Sequence, residues 1–128
     1  MLTLFPITYK LNEINADGCS ELAKLLRKEN ATLEQLYLEN NKINDGGLSF
    51  LVIALQTNTS LYTMALRNNV GITIEGMKLL LKLVNDMSSI KATLQSNHIL
   101  RTMSFNDSFE EAHIGYKLRR VLKINMFH

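Results

Sequence analysis

Three segments of this 128-residue chain superpose residue for residue: Asn30-Ala-Thr-Leu33-Glu-Gln-Leu36-Tyr-Leu38, Asn58-Thr-Ser-Leu61-Tyr-Thr-Met64-Ala-Leu66 and Asn97-His-Ile-Leu100-Arg-Thr-Met103-Ser-Phe105. Each reads Asn-x-x-Leu-x-x-apolar-x-apolar. A motif recurring at a near-fixed period constrains a chain more than composition does. Each copy buries its apolar side only against its neighbours, so the copies must stack. The expected architecture is therefore a solenoid.

The most complete unit runs from Leu33 to Asn58. Leu36 and Leu38 alternate as a short strand with one buried face. Asn41 and Ile43 follow, completing Leu-x-x-Leu-x-Leu-x-x-Asn-x-Ile. The asparagine suits a turn out of a strand, where its short amide bonds to backbone groups that would otherwise lack partners. A helix is expected to start at Gly47 and to carry Leu51, Ala54 and Leu55 on one apolar face. This pattern resembles the leucine-rich repeat, in its long ribonuclease-inhibitor-like form.

Upstream, Leu4, Ile7, Tyr9, Asn12 and Ile14 fit the same template, with Pro6 tolerable at a sheet edge. Leu4 to Leu33 is 29 residues and Leu33 to Leu61 is 28, whereas Leu61 to Leu100 is 39. The third unit holds an extra residue in Asn69-Val-Gly-Ile72, and a surplus of about eleven residues lies in 85–96. The expected domain is single, with repeats at 4–32, 33–60, 61–99 and 100–112 and a capping helix at 113–125. Leu2, Leu4 and Ile7 open directly into a strand, leaving its edge uncovered. The expectations there are a fragment of a longer array, an edge the first residues cover themselves, or one a partner completes.

The resemblance implies an α/β fold: a short curved parallel sheet on the concave face and helices on the convex face. It also implies three outward columns on the concave face. They are Pro6, Gln35, Thr63 and Thr102; Thr8, Tyr37, Ala65 and Ser104; and Lys10, Glu39, Arg67 and Asn106. Glu39 between Lys10 and Arg67 reads as a self-neutralised sheet face. Tyr37 reads as the anchor of a binding surface, because tyrosine is favoured at interfaces. The candidate protein-binding residues are Thr8, Lys10, Gln35, Tyr37, Glu39, Thr63, Arg67 and Thr102, with Asn40, Asn68 and Asn69 on the rim.

Other chemistry has little sequence support. The net charge of +2 does not argue for nucleic acid, and the basic positions Lys117, Arg119, Arg120 and Lys123 lack accompanying aromatic or glycine patterning. No run of about 18 apolar residues is present, so no membrane span is expected. His98, His113 and His128 are scattered, and no phosphate loop, metal-ligand spacing or nucleophile elbow occurs, so no catalytic, cofactor or metal residue is expected. Cys19, the single cysteine, cannot form an intrachain disulfide, which suits a reducing, cytoplasmic setting. It lies close to an expected helix start, a position able to lower a thiol's pKa, but in the repeat register it reads as an ordinary helix-start residue rather than a nucleophile. The sequons at Asn30 and Asn58 are the repeat asparagines themselves; a third is at Asn106. Members of the resembled family bind proteins. The expected function is protein binding without catalysis, the alternatives being a regulator of a small GTPase or other enzyme and a truncated repeat fragment.

Overall fold

A computed structural model describes residues 7–8, 13–85, 96–97, 99–106 and 113–125. Strands and helices alternate along the chain: β1 (Ile7–Thr8), α1 (Ala16–Leu26), β2 (Gln35–Tyr37), α2 (Asp45–Leu55), β3 (Thr63–Ala65), α3 (Ile74–Val84) and β4 (Thr102–Ser104). A last helix, α4, spans His113–Asn125. The four strands form one parallel sheet in the order β1-β2-β3-β4. Ile7 pairs with Leu36, Leu36 with Met64 and Met64 with Met103. β4 thus lies where the Asn97 register puts it, with Met103 and Phe105 both buried.

The core lies between sheet and helices. Leu36, Leu38, Met64, Leu66, Met103 and Phe105 meet inward residues of the helices such as Leu26, Leu55 and Leu80, all nearly inaccessible to water. α4 carries Leu118 and Leu122 into the same core, packing on α3 and against β4.

The helix starts repeat as the strands do. Asn15, Asn44 and Thr73 are the N-caps, 29 residues apart, and each side chain accepts a hydrogen bond from an amide of the first turn. α2 therefore begins at Asp45, two residues before the Gly47 start expected from sequence, because the Asn44 carboxamide satisfies the Gly47 amide at 2.8 Å.

Two sets of buried asparagines join the units. Asn41 accepts from the amide of Ile14, and Asn69 from that of Ile43. Their own amides donate to carbonyls at the ends of the strands: Leu38 and Glu39 for Asn41, Leu38 and Leu66 for Asn69. On the other side, Asn58 donates to the Leu26 carbonyl and Asn97 to that of Leu55, so each closes the C-terminal end of a helix one unit earlier, α1 and α2 respectively. Asn30, the register equivalent of Asn58, is exposed.

The extra residue of the third unit is Val70, which is 91% exposed while Ile72 stays buried as Ile43 does. The chain bulges outward at Val70 and rejoins the register at Gly71. There it bridges to Asn44, and a Cβ on Gly71 would lie 2.7 Å from the Cβ of Asn44.

Candidate functional site

The sheet face opposite the helices is built from the strand positions that alternate with the buried ones. Gln35, Thr63 and Thr102 are in register across β2, β3 and β4; Tyr37, Ala65 and Ser104 form the next column, and Thr8 pairs with Tyr37. Gln35, Tyr37 and Thr63 are half-buried and Thr102 is exposed. Ala65 is only 5% exposed, so that column is interrupted by a sunken methyl group.

Tyr37 does not stand alone. Its hydroxyl donates to the Gln35 side-chain oxygen at 2.9 Å, and the Gln35 amide donates to the Tyr62 hydroxyl at 2.8 Å. Two tyrosines and a glutamine thus form one hydrogen-bonded chain across β2 and the entry to β3. Tyr62 was missed in the sequence because it precedes the strand and shares its register position with Glu34, which carries no aromatic signal. Its backbone is held on both sides: its amide donates to the Glu34 carbonyl, and its carbonyl accepts from Arg101 and Thr102. Side chains so fixed lose little rotamer freedom when a partner docks.

The third column departs from expectation. Glu39 and Arg67 sit in the turns just beyond β2 and β3 rather than in the strands, and Lys10 and Pro6 lie outside the described residues. Asn40 and Asn68 adopt left-handed backbone (φ 59° and 62°), which asparagine tolerates better than most residues. The Asn68 amide group donates to the Asn40 side-chain oxygen at 2.9 Å, and the Asn68 backbone N–H donates to Asn106 at 2.6 Å. The rim is therefore a self-bonded row. Asn69, expected on that rim, is instead fully buried: all its polar atoms serve the backbone of its own and the neighbouring unit.

Cys19 is a structural residue of the helix start. It is fully buried where α1 meets α2, and burial pushes its thiol from 9.0 up to about 11. Loss of solvation outweighs any helix-start effect there. On α4, the Arg119 guanidinium lies 4.9 Å from the centre of the Phe105 ring, and Arg120 lies 5.8 Å from that of Tyr116. Two of the four basic residues therefore meet aromatic rings of this chain. His113 stacks on Tyr116, whereas His98 and His128 lie outside the described residues. So does most of the 85–96 insertion, between Asn85, whose amide donates to Leu81, and Ser96. Among the described residues no helix is long and apolar enough to cross a membrane.

The fold is similar to that of a solved structure, "Leiomodin-1 Actin-Binding Site 2 (ABS2)". It aligns with a TM-score of 0.67 at 21% identity, covering 89% of this chain and 59% of that one. At that identity the likeness establishes a common fold, and the chain spans 59% of the length of the protein it matches. No family model matches the chain, and no curated protein matches it.

Proposed function

We propose that the chain is a leucine-rich-repeat solenoid of the ribonuclease-inhibitor-like type, acting by binding another protein through its sheet face, with no catalysis of its own. Burial of Leu33, Leu36, Leu38, Asn41 and Ile43, the full motif of the second unit, supports the repeat assignment. The observation that carries the binding reading is the fixed Tyr37–Gln35–Tyr62 chain. It presents two amphipathic rings on the sheet face without further ordering. The buried cysteine, with no second cysteine to pair with, suits an intracellular setting.

Because the structurally similar protein is titled as an actin-binding site, actin is the first partner to test. Immobilised full-length chain is expected to retain purified actin, or a partner captured from cell extract. Tyr37→Ala and Arg67→Glu are both expected to reduce that recovery while the protein stays folded. Equal recovery by both variants would remove the sheet face as the binding surface.

A further inference from the structure

We infer that the outward face of α4 is a second interaction surface, built to hold an acidic segment of a partner protein. Lys117, Arg120 and Lys123 recur there every three residues, with His113 and Tyr116 among them, and all five side chains are exposed. At about 100° per residue the five fall within about 120° of arc, centred on Arg120 and opposite the buried Leu118 and Leu122.

Charge is partitioned along this chain. It has 14 Lys and Arg against 12 Asp and Glu. Four of the 14 stand on α4 and none of the 12, so the helix carries +4 and the rest of the sequence −2. Two other helices neutralise a surface lysine within themselves: Lys24 pairs with Glu21 at 2.9 Å on α1, and Lys78 with Glu75 at 3.1 Å on α3. Among the described residues no carboxylate pairs with Lys117, Arg120 or Lys123. Nor is this a face that a further repeat is built to cover, because packing against it would strip water from three charges.

The stripe is also ordered in part. Tyr116 stacks with His113 one turn before it, with ring centres 6.2 Å apart and 21° between the planes. One turn after it, the Arg120 guanidinium lies over the same ring, 5.8 Å from its centre. Resting on the ring sets the planar fork of Arg120 for a carboxylate. The neighbours of Tyr116 decide between anionic partners. A nucleic-acid base stacks on a ring face, and here it would have to displace His113 or Arg120. A bilayer takes apolar side chains from a helix, and Leu118 and Leu122 of α4 are buried in the core. An acidic peptide needs neither. Its carboxylates reach Lys117 and Lys123 across Arg120 over about 9 Å, the helical rise of six residues.

The test uses full-length ¹⁵N-labelled protein and a fluorescein-labelled octaglutamate peptide. Saturable amide shifts are expected at Tyr116, Lys117, Arg120 and Lys123. Lys117→Glu combined with Arg120→Glu should weaken binding about tenfold or more at unchanged circular dichroism, whereas Lys28→Glu should change it by less than about twofold. Tyr116→Ala keeps every charge but frees Arg120, and should weaken binding about threefold. Loose attraction between opposite charges would leave Tyr116→Ala without effect, which would overturn the assignment. Shifts centred elsewhere would overturn it too, as would tighter binding of an oligothymidylate or of phosphatidylserine vesicles than of the peptide. Binding that appears only in protein carrying Glu110→Gln and Glu111→Gln would also overturn it, by identifying the occupant as this chain's own acidic segment. Tyr37→Ala should leave peptide binding unchanged, so this surface and the sheet face fail separately.

Discussion

Buried asparagine is costly unless every polar atom finds a partner, and in this chain Asn41, Asn58, Asn69 and Asn97 are kept inside because each finds several. Asn69 is the most deeply buried of the four. Replacing it with alanine removes the partner of the Ile43 amide and a donor to the Leu66 carbonyl, while the Leu38 carbonyl keeps Asn41. Asn69→Ala is expected to cost about 2–4 kcal/mol, read from urea unfolding, because unsatisfied buried groups retain their desolvation penalty. Cys19 gives a prediction of opposite kind. Below pH 9 its thiol is neutral both folded and unfolded, since burial raises it from 9.0 to about 11 in the fold. Above pH 9 the unfolded chain ionises and the folded one resists, so stability falls as pH rises between about 9 and 11. Cys19→Ala is expected to flatten that part of the pH–stability curve. Rapid labelling of the native thiol by iodoacetamide at pH 8 would contradict its burial.

At the scale of elements, the short strands and eleven-residue helices owe their stability to each other rather than to propensity. Glycine shows this directly. In an open helix, Gly→Ala gains up to about 1 kcal/mol. Gly76→Ala is expected to reverse that sign, losing about 1–3 kcal/mol as overpacking does, because Asp45 cannot yield without releasing Thr73. The Asp45 carboxylate holds both the amide and the hydroxyl of Thr73. Among the described residues, a Cβ on Gly18 would meet the Ile14 Cγ2 methyl at 2.9 Å, so Gly18→Ala is expected to cost less than Gly76→Ala in thermal unfolding, because a side chain rather than a bonded carboxylate must give way. Equal losses at both positions would remove that contrast.

For the whole molecule, the units form a one-dimensional series in which each strand and helix contacts mainly its neighbours. The C-terminal end of that series is covered by α4, which places Leu118 and Leu122 over α3 and β4. Leu118 is fully buried, so Leu118→Asp sets a carboxylate in the core and should cost more than about 3 kcal/mol, lowering the midpoint in a single denaturation transition. Tyr37→Ala, on the half-buried sheet face, is expected to change stability by about 1 kcal/mol or less while affecting partner recovery.

Periodicity in the sequence determined the strand positions, the inward leucines and the turn asparagines, because a side chain's direction along a strand alternates with period two and stacked units repeat their contacts. Gln35, Tyr37, Thr63 and Thr102 were legible on the sheet face for that reason. Tertiary structure alone decided which polar atoms pair across units. It buried Asn69, took Glu39 and Arg67 into turns, recruited Tyr62 to Tyr37 through Gln35 and raised rather than lowered the Cys19 thiol. Those outcomes depend on distances between residues some 28 positions apart, set by how one unit sits on the next. A local motif does not encode them.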